Sequence, residues 1–354
     1  MDSGIISKQW ASRPDDQRFI SIEELHAYNL TKQQAALELG VALDHLRLQA
    51  TDGDLVLADP KRNTGATFTH WSFGQLCTRI GAPAGYLRTL PPELAAIPLQ
   101  WSLEQKREDA KLLMRRNGTW TIDAITSGSY GRIFDAEMTQ AVIDHVDLAV
   151  WKIPVASYAS SNPKRATTLY ASDRDCFVCL VDDQHPITVP GKEQDTLFRG
   201  FICRNSEVGA AAYDLFLFLY RYICDNRIIW GLSDTKQFKI RHTSGGPMRF
   251  MREAKPALQK YLESGTQDTI QAVIRAQEKE IGKTEKDVSS WLKDRGFTRS
   301  QSQKIVETAQ GEEGNPRSIW NLANAVTDLA NDVPFGDERL ALEKKAGKML
   351  DSVI

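Results

Sequence analysis

Between Thr119 and His242 the apolar residues fall into short runs separated by polar clusters, while on both sides of that block they follow helix-capping signals. That block order constrains the fold more than any other feature. Helix, then strand, then helix predicts an α+β protein and not a βαβ alternation. The expected architecture is a central, mostly antiparallel sheet flanked by helices, with a helical C-terminal region. Three segments follow: an acidic helical stretch over 1–70, a central α+β domain over 71–282, and C-terminal helices over 283–354, with a linker near 282–286.

Local signals fill in the blocks. Thr31-Lys32-Gln33-Gln34 fits a capping box, with Gly40 placed to end the helix it opens. Ser72-Phe73-Gly74-Gln75 repeats the arrangement, with Phe73, Leu76, Cys77 and Ile80 as the apolar stripe and Gly81 as the stop. Pro91-Pro92-Glu93 opens another helix, and a further one is expected from about Leu99 to Arg116. In the central block, Trp120, Ile122 and Ile125 precede the turn-rich Ser127–Gly131. The runs 175–181, 198–204 and 213–223 read as strands, and Asp135 is expected to cap a helix reaching about Asp147. Helices resume after Gly245-Gly246-Pro247, with start signals at Thr298-Arg299-Ser300-Gln301 and Asn315-Pro316.

Composition narrows the class. With 354 residues, 42% hydrophobic and 25% charged, the chain has the make-up of a globular protein with ample apolar surface for a core. No apolar run reaches the ~20 residues that span a bilayer, and Met1-Asp2-Ser3-Gly4 opens no secretory signal. Five cysteines are too few for a disulfide framework, so a reducing cytoplasm is expected. The net charge of −2 is unevenly spread: residues 1–60 carry −5 and residues 199–255 carry +5.

Catalytic signatures are sparse. Cys176-Phe177-Val178-Cys179 has the spacing of half a zinc site, but residues three apart on a strand face opposite ways, so two buried cysteines are expected. The six histidines show no metal-ligand spacing, and no phosphate loop, nucleophile elbow or zinc-protease motif is present. No cofactor or metal site is expected. Asp173 with Asp175, or Asp182 with Asp183, are the acids available to a divalent ion.

The basic segments carry more. If 198–204 and 238–242 are strands, Arg199 shares a face with Phe201, and Lys239 with Arg241. A nucleic-acid site is accordingly assigned to Arg199, Arg204, Lys239, Arg241, His242, Arg249 and Arg252, with Lys255 beside them and Phe201 or Trp230 available for base stacking. Internal pairing among Arg204, Glu207 and Arg241 accounts for part of the same pattern equally well. A weaker signal lies in 284–310, where Arg299, Gln301, Gln303 and Lys304 would decorate the second helix of a helix-turn-helix pair.

Four groups of residues resemble the phage- and plasmid-like family called domain of unknown function 932. They are Tyr130-Gly131-Arg132-Ile133-Phe134, Phe201 to Gly209 with Arg204-Asn205-Ser206-Glu207 at its centre, Cys224 to Gly231, and Arg241-His242-Thr243. Together they extend the resemblance over about 70–265. Arg227 departs from the glycine or histidine that the family often has there. The resemblance implies a protein of mobile elements in a bacterial host and no settled activity.

These features lead to one expectation and two alternatives. The first is a protein that binds or anneals single-stranded DNA or RNA in replication or recombination, and forms a homo-oligomer. The second is an interaction protein that counters a host defence system by occupying a host protein or sequestering a signal nucleotide. The third is a metal-dependent nuclease using Asp173, Asp175 or Glu207.

Overall fold

A computed structural model describes residues 14–61, 64–154, 167–221, 226–228, 238–333 and 336–353. Its N-terminal half runs β1 (Arg18–Phe19), α1 (Ile22–Gln34), β2 (Ala36–Ala42), β3 (Arg47–Thr51), β4 (Asp54–Asp59), β5 (Thr64–Phe68), α2 (His70–Ile80), α3 (Ala84–Leu87), α4 (Pro92–Glu104), β6 (Asp109–Asn117), β7 (Thr119–Ser127) and α5 (Asp135–His145). There follow β8 (Trp151–Lys152), β9 (Leu169–Ala171), β10 (Cys176–Asp182), β11 (Ile187–Val189), β12 (Lys192–Asn205), β13 (Tyr213–Arg221), β14 (Asn226–Ile228) and β15 (Phe238–Ile240). The remainder is helical: α6 (Gly246–Arg249), a π turn (Phe250–Ala254), α7 (Lys255–Glu263), α8 (Gln267–Glu278), α9 (Glu285–Asp294), α10 (Arg299–Glu313), α11 (Ile319–Asn331) and α12 (Gly336–Leu350).

The α+β class and the mostly antiparallel pairing stand, but the strands form two sheets. The first has the order β2-β6-β7-β5-β4-β3, antiparallel except for β5 with β7. The expected helical 1–70 segment keeps one long helix, α1, and beside it holds five strands, four of them in this sheet. Thr31 does not open a helix: α1 begins ten residues earlier, where Ser21 accepts from the Glu24 amide and Glu24 reaches back to the Ile20 amide. Gly40 lies inside β2, paired opposite Lys111. The expected 99–116 helix likewise stops at Glu104, because β6 pairs on both sides with β2 and β7 and overrides helical propensity. Helix α2 forms with its apolar stripe inward and Gly81 in the left-handed region at φ 73°, though its cap is Thr69. Between β3 and β4 both Asp52 (φ 53°) and Gly53 (φ 82°) are left-handed, as a two-residue hairpin turn requires.

The second sheet has the order β1-β9-β10-β12-β13-β14, with β8, β11 and β15 pairing at its margins. Its strands at 176–182, 192–205 and 213–221 match the runs read from sequence, and β10 is buried along its whole length. Alternation sorts the faces: Phe201, Cys203, Tyr213, Leu215 and Leu217 pack under α5 and α7, while Ile202, Phe216 and Phe218 point the other way. Cys176 and Cys179 fall on opposite faces, so their sulfurs do not converge. Gly200 is required where it stands, since a Cβ there would lie 2.2 Å from the facing Phe218 ring.

Asp135 is the first residue of α5; the capping exchange is made by Phe134 and Glu137, whose carboxylate accepts the Phe134 amide. The Thr298–Gln301 capping box forms as read, whereas the last start signal shifts from Asn315 to Ser318. The helices on both sides of 282–286 share one core around the buried Trp320, which also takes in Ile187, Leu197 and Leu219 from the second sheet. Among the described residues no helix is long and apolar enough to cross a membrane.

Candidate nucleic-acid interface

Of the seven residues assigned from sequence, two are removed by burial. Arg199 does share a face with Phe201, but that face is the one under α7. Arg199 is 5% exposed; its guanidinium donates to Asp182 at 3.0 Å and to the Ser264 hydroxyl at 3.1 Å, between the rings of Trp151 and Tyr261. His242 is buried with its ring stacked on Tyr130, centroids 5.0 Å apart and planes 14° apart, and its Nδ1 lies 3.3 Å from the Gly131 carbonyl. Burial lowers the His242 pKa to about 4, so the ring is neutral at pH 7 and offers no charge to a phosphate. Phe201, proposed for base stacking, is wholly buried. Trp230 lies outside the described residues.

The remaining five divide between the sheet and the helix beyond it. Arg204 on β12 is half-buried and stands directly opposite Asp214 on β13, which stands opposite Lys239 on β15. Burial raises the Asp214 pKa against the pull of Lys239, Lys344 and Arg204, so one carboxylate faces three cations. Lys239 is exposed, and so is Arg241 just past the end of β15. A tight turn then joins strand to helix: the Thr243 amide donates to the Arg241 carbonyl at 2.8 Å, and the Gly246 amide to the Thr243 carbonyl at 2.7 Å.

Helix α6 and the π turn continue the basic run. Phe250 anchors the turn by packing edge-on against Tyr213, centroids 4.9 Å apart. Arg249 and Arg252 are exposed, together with Met248 and Met251. Arg249 shares its charge with Glu253 at 2.8 Å. The π turn inserts an extra residue into the helix, an irregularity that recurs at functional sites. Lys239 and Arg241, at the margin of the second sheet, and Arg249 and Arg252, on the helical segment that follows, are thus each exposed to water.

Two of the family-like motifs, Tyr130–Phe134 and Phe201–Gly209, meet elsewhere, at the junction of the two sheets; of Cys224–Gly231 only residues 226–228 are described. Glu207, 2% exposed, accepts from Arg115 at 2.6 Å and from Lys32 at 3.2 Å, and its second oxygen accepts the Asp135 amide at 3.3 Å. Arg115 also holds Asp123. Asn205 donates to the Asp135 carboxylate and to the Ile133 carbonyl, both at 2.8 Å. Arg132 joins Glu38 at 2.7 Å and the Glu207 carbonyl, and the Tyr130 hydroxyl donates to the Ser206 carbonyl at 3.2 Å. Burial pushes the Glu207 carboxyl up, but Lys32, Arg115 and the Asp135 amide together hold it below the usual range. Asp135 goes the other way, raised by burial and by the Glu207 charge beside it.

This network ties α1, β6, β7 and α5 to the end of β12. The alternative of a network among Arg204, Glu207 and Arg241 differs from what forms at Glu207: its partners are Lys32 and Arg115, which carry no local signal and come together only through the tertiary fold. In the same way the acids considered for a metal are dispersed: Asp173 is exposed, Asp175 accepts the Ser172 hydroxyl at 2.8 Å, and Glu207 is held by two cations. Among the described residues no group of three or more His, Cys, Asp or Glu side chains is placed to hold a metal ion. Three of the four polar residues of the helix-turn-helix candidate bond within the chain, with Gln301 capping Thr298, Gln303 bound to Glu307 and Lys304 bound to Asp332, while Arg299 is exposed.

Residues 161–333 match the family model described as Domain of unknown function (DUF932). The resemblance read from the motifs therefore stands for this segment, which holds Asn205-Ser206-Glu207 and Arg241-His242-Thr243. The match extends past residue 265, and the motif at Tyr130–Phe134 lies outside it. No curated protein and no solved structure matches the chain.

Proposed function

We propose that this protein binds single-stranded nucleic acid along the rim of β15, α6 and the π turn, with Lys239, Arg241, Arg249 and Arg252 following the phosphate backbone. The observation that carries this reading is the contrast in burial. Arg199 and His242 are consumed by the core, whereas these four cations face water on consecutive segments joined by a tight turn. The mechanism makes and breaks no covalent bond. Cations release counterions from the phosphates, and exposed Met248 and Met251 supply apolar contact while the bases stay open for pairing. With Phe201 buried, affinity in this reading rests on charge, so binding is strongly salt-dependent and indifferent to sequence. The proposed setting is replication or recombination of mobile elements, the setting that the family resemblance suggests.

Fluorescence anisotropy with a labelled oligonucleotide tests the reading. Binding of single strands at low micromolar protein and low salt, tighter than binding of the matching duplex, is the expected result. Equal preference for the duplex, or no binding at low salt, would remove it.

A further inference from the structure

Sulfur is unevenly placed in this molecule. Of its six methionines, Met1 lies outside the described residues, and Met114, Met138 and Met349 are 2%, 1% and 1% exposed. Met248 and Met251 are 58% and 52% exposed. Phe250, between them, turns inward onto Tyr213, and Ala254 enters the same core, which leaves the two thioethers outward. The described cysteines, Cys77, Cys176, Cys179 and Cys203, are all buried. Burial pushes the Cys77, Cys176 and Cys203 thiols up, Cys203 to about 12, so these three stay protonated, whereas peroxides react with the thiolate. Among the described residues, oxidisable sulfur that meets water is thus confined to α6 and the π turn.

We infer that Met248 and Met251 form a redox switch on nucleic-acid binding, in which a hydroperoxide converts both to sulfoxides and weakens the hold on the strand. The inference rests on the binding reading above and adds its regulation. The thioether sulfur attacks one oxygen of hydrogen peroxide, and the O–O bond breaks as the S–O bond forms. The departing hydroxide takes the proton of the transferred oxygen and leaves as water; sulfur loses two electrons and the peroxide gains them. A dithiol acting through a methionine sulfoxide reductase reverses the step, yielding thioether, water and a disulfide. Two consequences act in the same direction. Each flexible apolar side chain becomes polar and gives up its apolar contact with the strand. The sulfoxide oxygen is also a hydrogen-bond acceptor with partial negative charge, so it competes with a phosphate for Arg252, which is four residues from Met248 and adjacent to Met251. The core is undisturbed, because Phe250 carries the anchoring contact.

Timed treatment with hydrogen peroxide, followed by peptide mass spectrometry and by anisotropy with a labelled single strand, is the test. Met248 and Met251 should each gain one oxygen well before Met114, Met138 and Met349. Affinity at low salt should fall about fivefold as they are oxidised, and return on treatment with methionine sulfoxide reductase and a dithiol. The double variant Met248→Leu/Met251→Leu is compared only with its own untreated form, whose affinity peroxide should leave unchanged. Cys224, outside the described residues, is present in both proteins, so its oxidation does not distinguish them. If the untreated protein does not bind, the binding reading fails and the switch with it. If the untreated protein binds, three results overturn the switch alone: unaltered affinity after both methionines are oxidised, an equal loss in the double variant, or earlier oxidation of the buried methionines.

Discussion

Arg115 on β6 and Glu207 just beyond β12 meet at 2.6 Å, and through this pair the first sheet is fastened to the second. Lys32 joins from α1, so one buried carboxylate neutralises two cations drawn from distant parts of the chain. Replacing Glu207 by Gln should leave Lys32 without its carboxylate partner and Arg115 with Asp123 alone, and lower unfolding free energy by about 3–5 kcal/mol. Urea denaturation measures it. Glu253→Gln, at an exposed helical pair, serves as the control and should leave the midpoint unchanged.

Stability should fall as the solution is acidified from pH 7 to pH 5. His242 has a folded pKa lowered to about 4 against 6.5 for the free side chain, so the unfolded chain takes up a proton that the folded chain refuses. The loss begins as pH drops through 6.5 and continues to about 4; by pH 5 it amounts to about 2 kcal/mol. His242→Phe abolishes this part of the pH dependence, which thermal or urea melts at pH 7 and pH 5 would register as a smaller difference between the two. An unchanged difference would show that His242 is accessible to protons in the folded protein.

Gly131 should not tolerate a side chain. A Cβ there would lie 2.0 Å from the Thr243 carbonyl oxygen and 2.8 Å from the Pro247 ring, where Tyr130 bridges to Thr243. Gly131→Ala is therefore expected to part the Tyr130–His242 stack and to lower the melting temperature markedly. Gly40→Ala, with nothing within 4 Å of the new atom, should leave it unchanged or slightly raised.

Much of the second sheet was legible in the chain because its strands are apolar runs bounded by polar residues, and burial on both faces is what such runs signal. The first sheet was not. Its β2 reads Ala36-Leu37-Glu38-Leu39-Gly40-Val41-Ala42, a mixture that suits helix and strand alike, and only pairing with β6 decides it. One local signal was present and passed over: Asp52-Gly53 between apolar neighbours, which forms the hairpin of β3 and β4. At the candidate site, alternation placed Lys239 with Arg241 and Arg199 with Phe201 on common faces. Which face meets water depends on where α5 and α7 pack, and no periodicity within a strand carries that information. The junction network was hidden for the same reason, since Lys32, Arg115 and Glu207 are brought together by contacts 83 to 175 residues apart in sequence.

Arg199 separates structural from functional arginines. Because its guanidinium pairs with buried Asp182 at 3.0 Å, Arg199→Ala should destabilise the fold by about 3–5 kcal/mol. Any folded protein recovered should keep wild-type affinity for single strands, as judged by titration corrected for the folded fraction.

The rim is tested most directly by the salt dependence of binding. The slope of log affinity against log salt should be steep for the wild-type protein and shallower by about 1.4 when Lys239 and Arg241 are both changed to Ala, two phosphate contacts being lost. Arg249→Ala with Arg252→Ala should reduce the slope similarly, with unfolding midpoints near wild type in both double variants. Slopes that coincide with the wild-type slope in both double variants would contradict the account, because the strand would then be held somewhere other than the water-facing margin of β15 and α6.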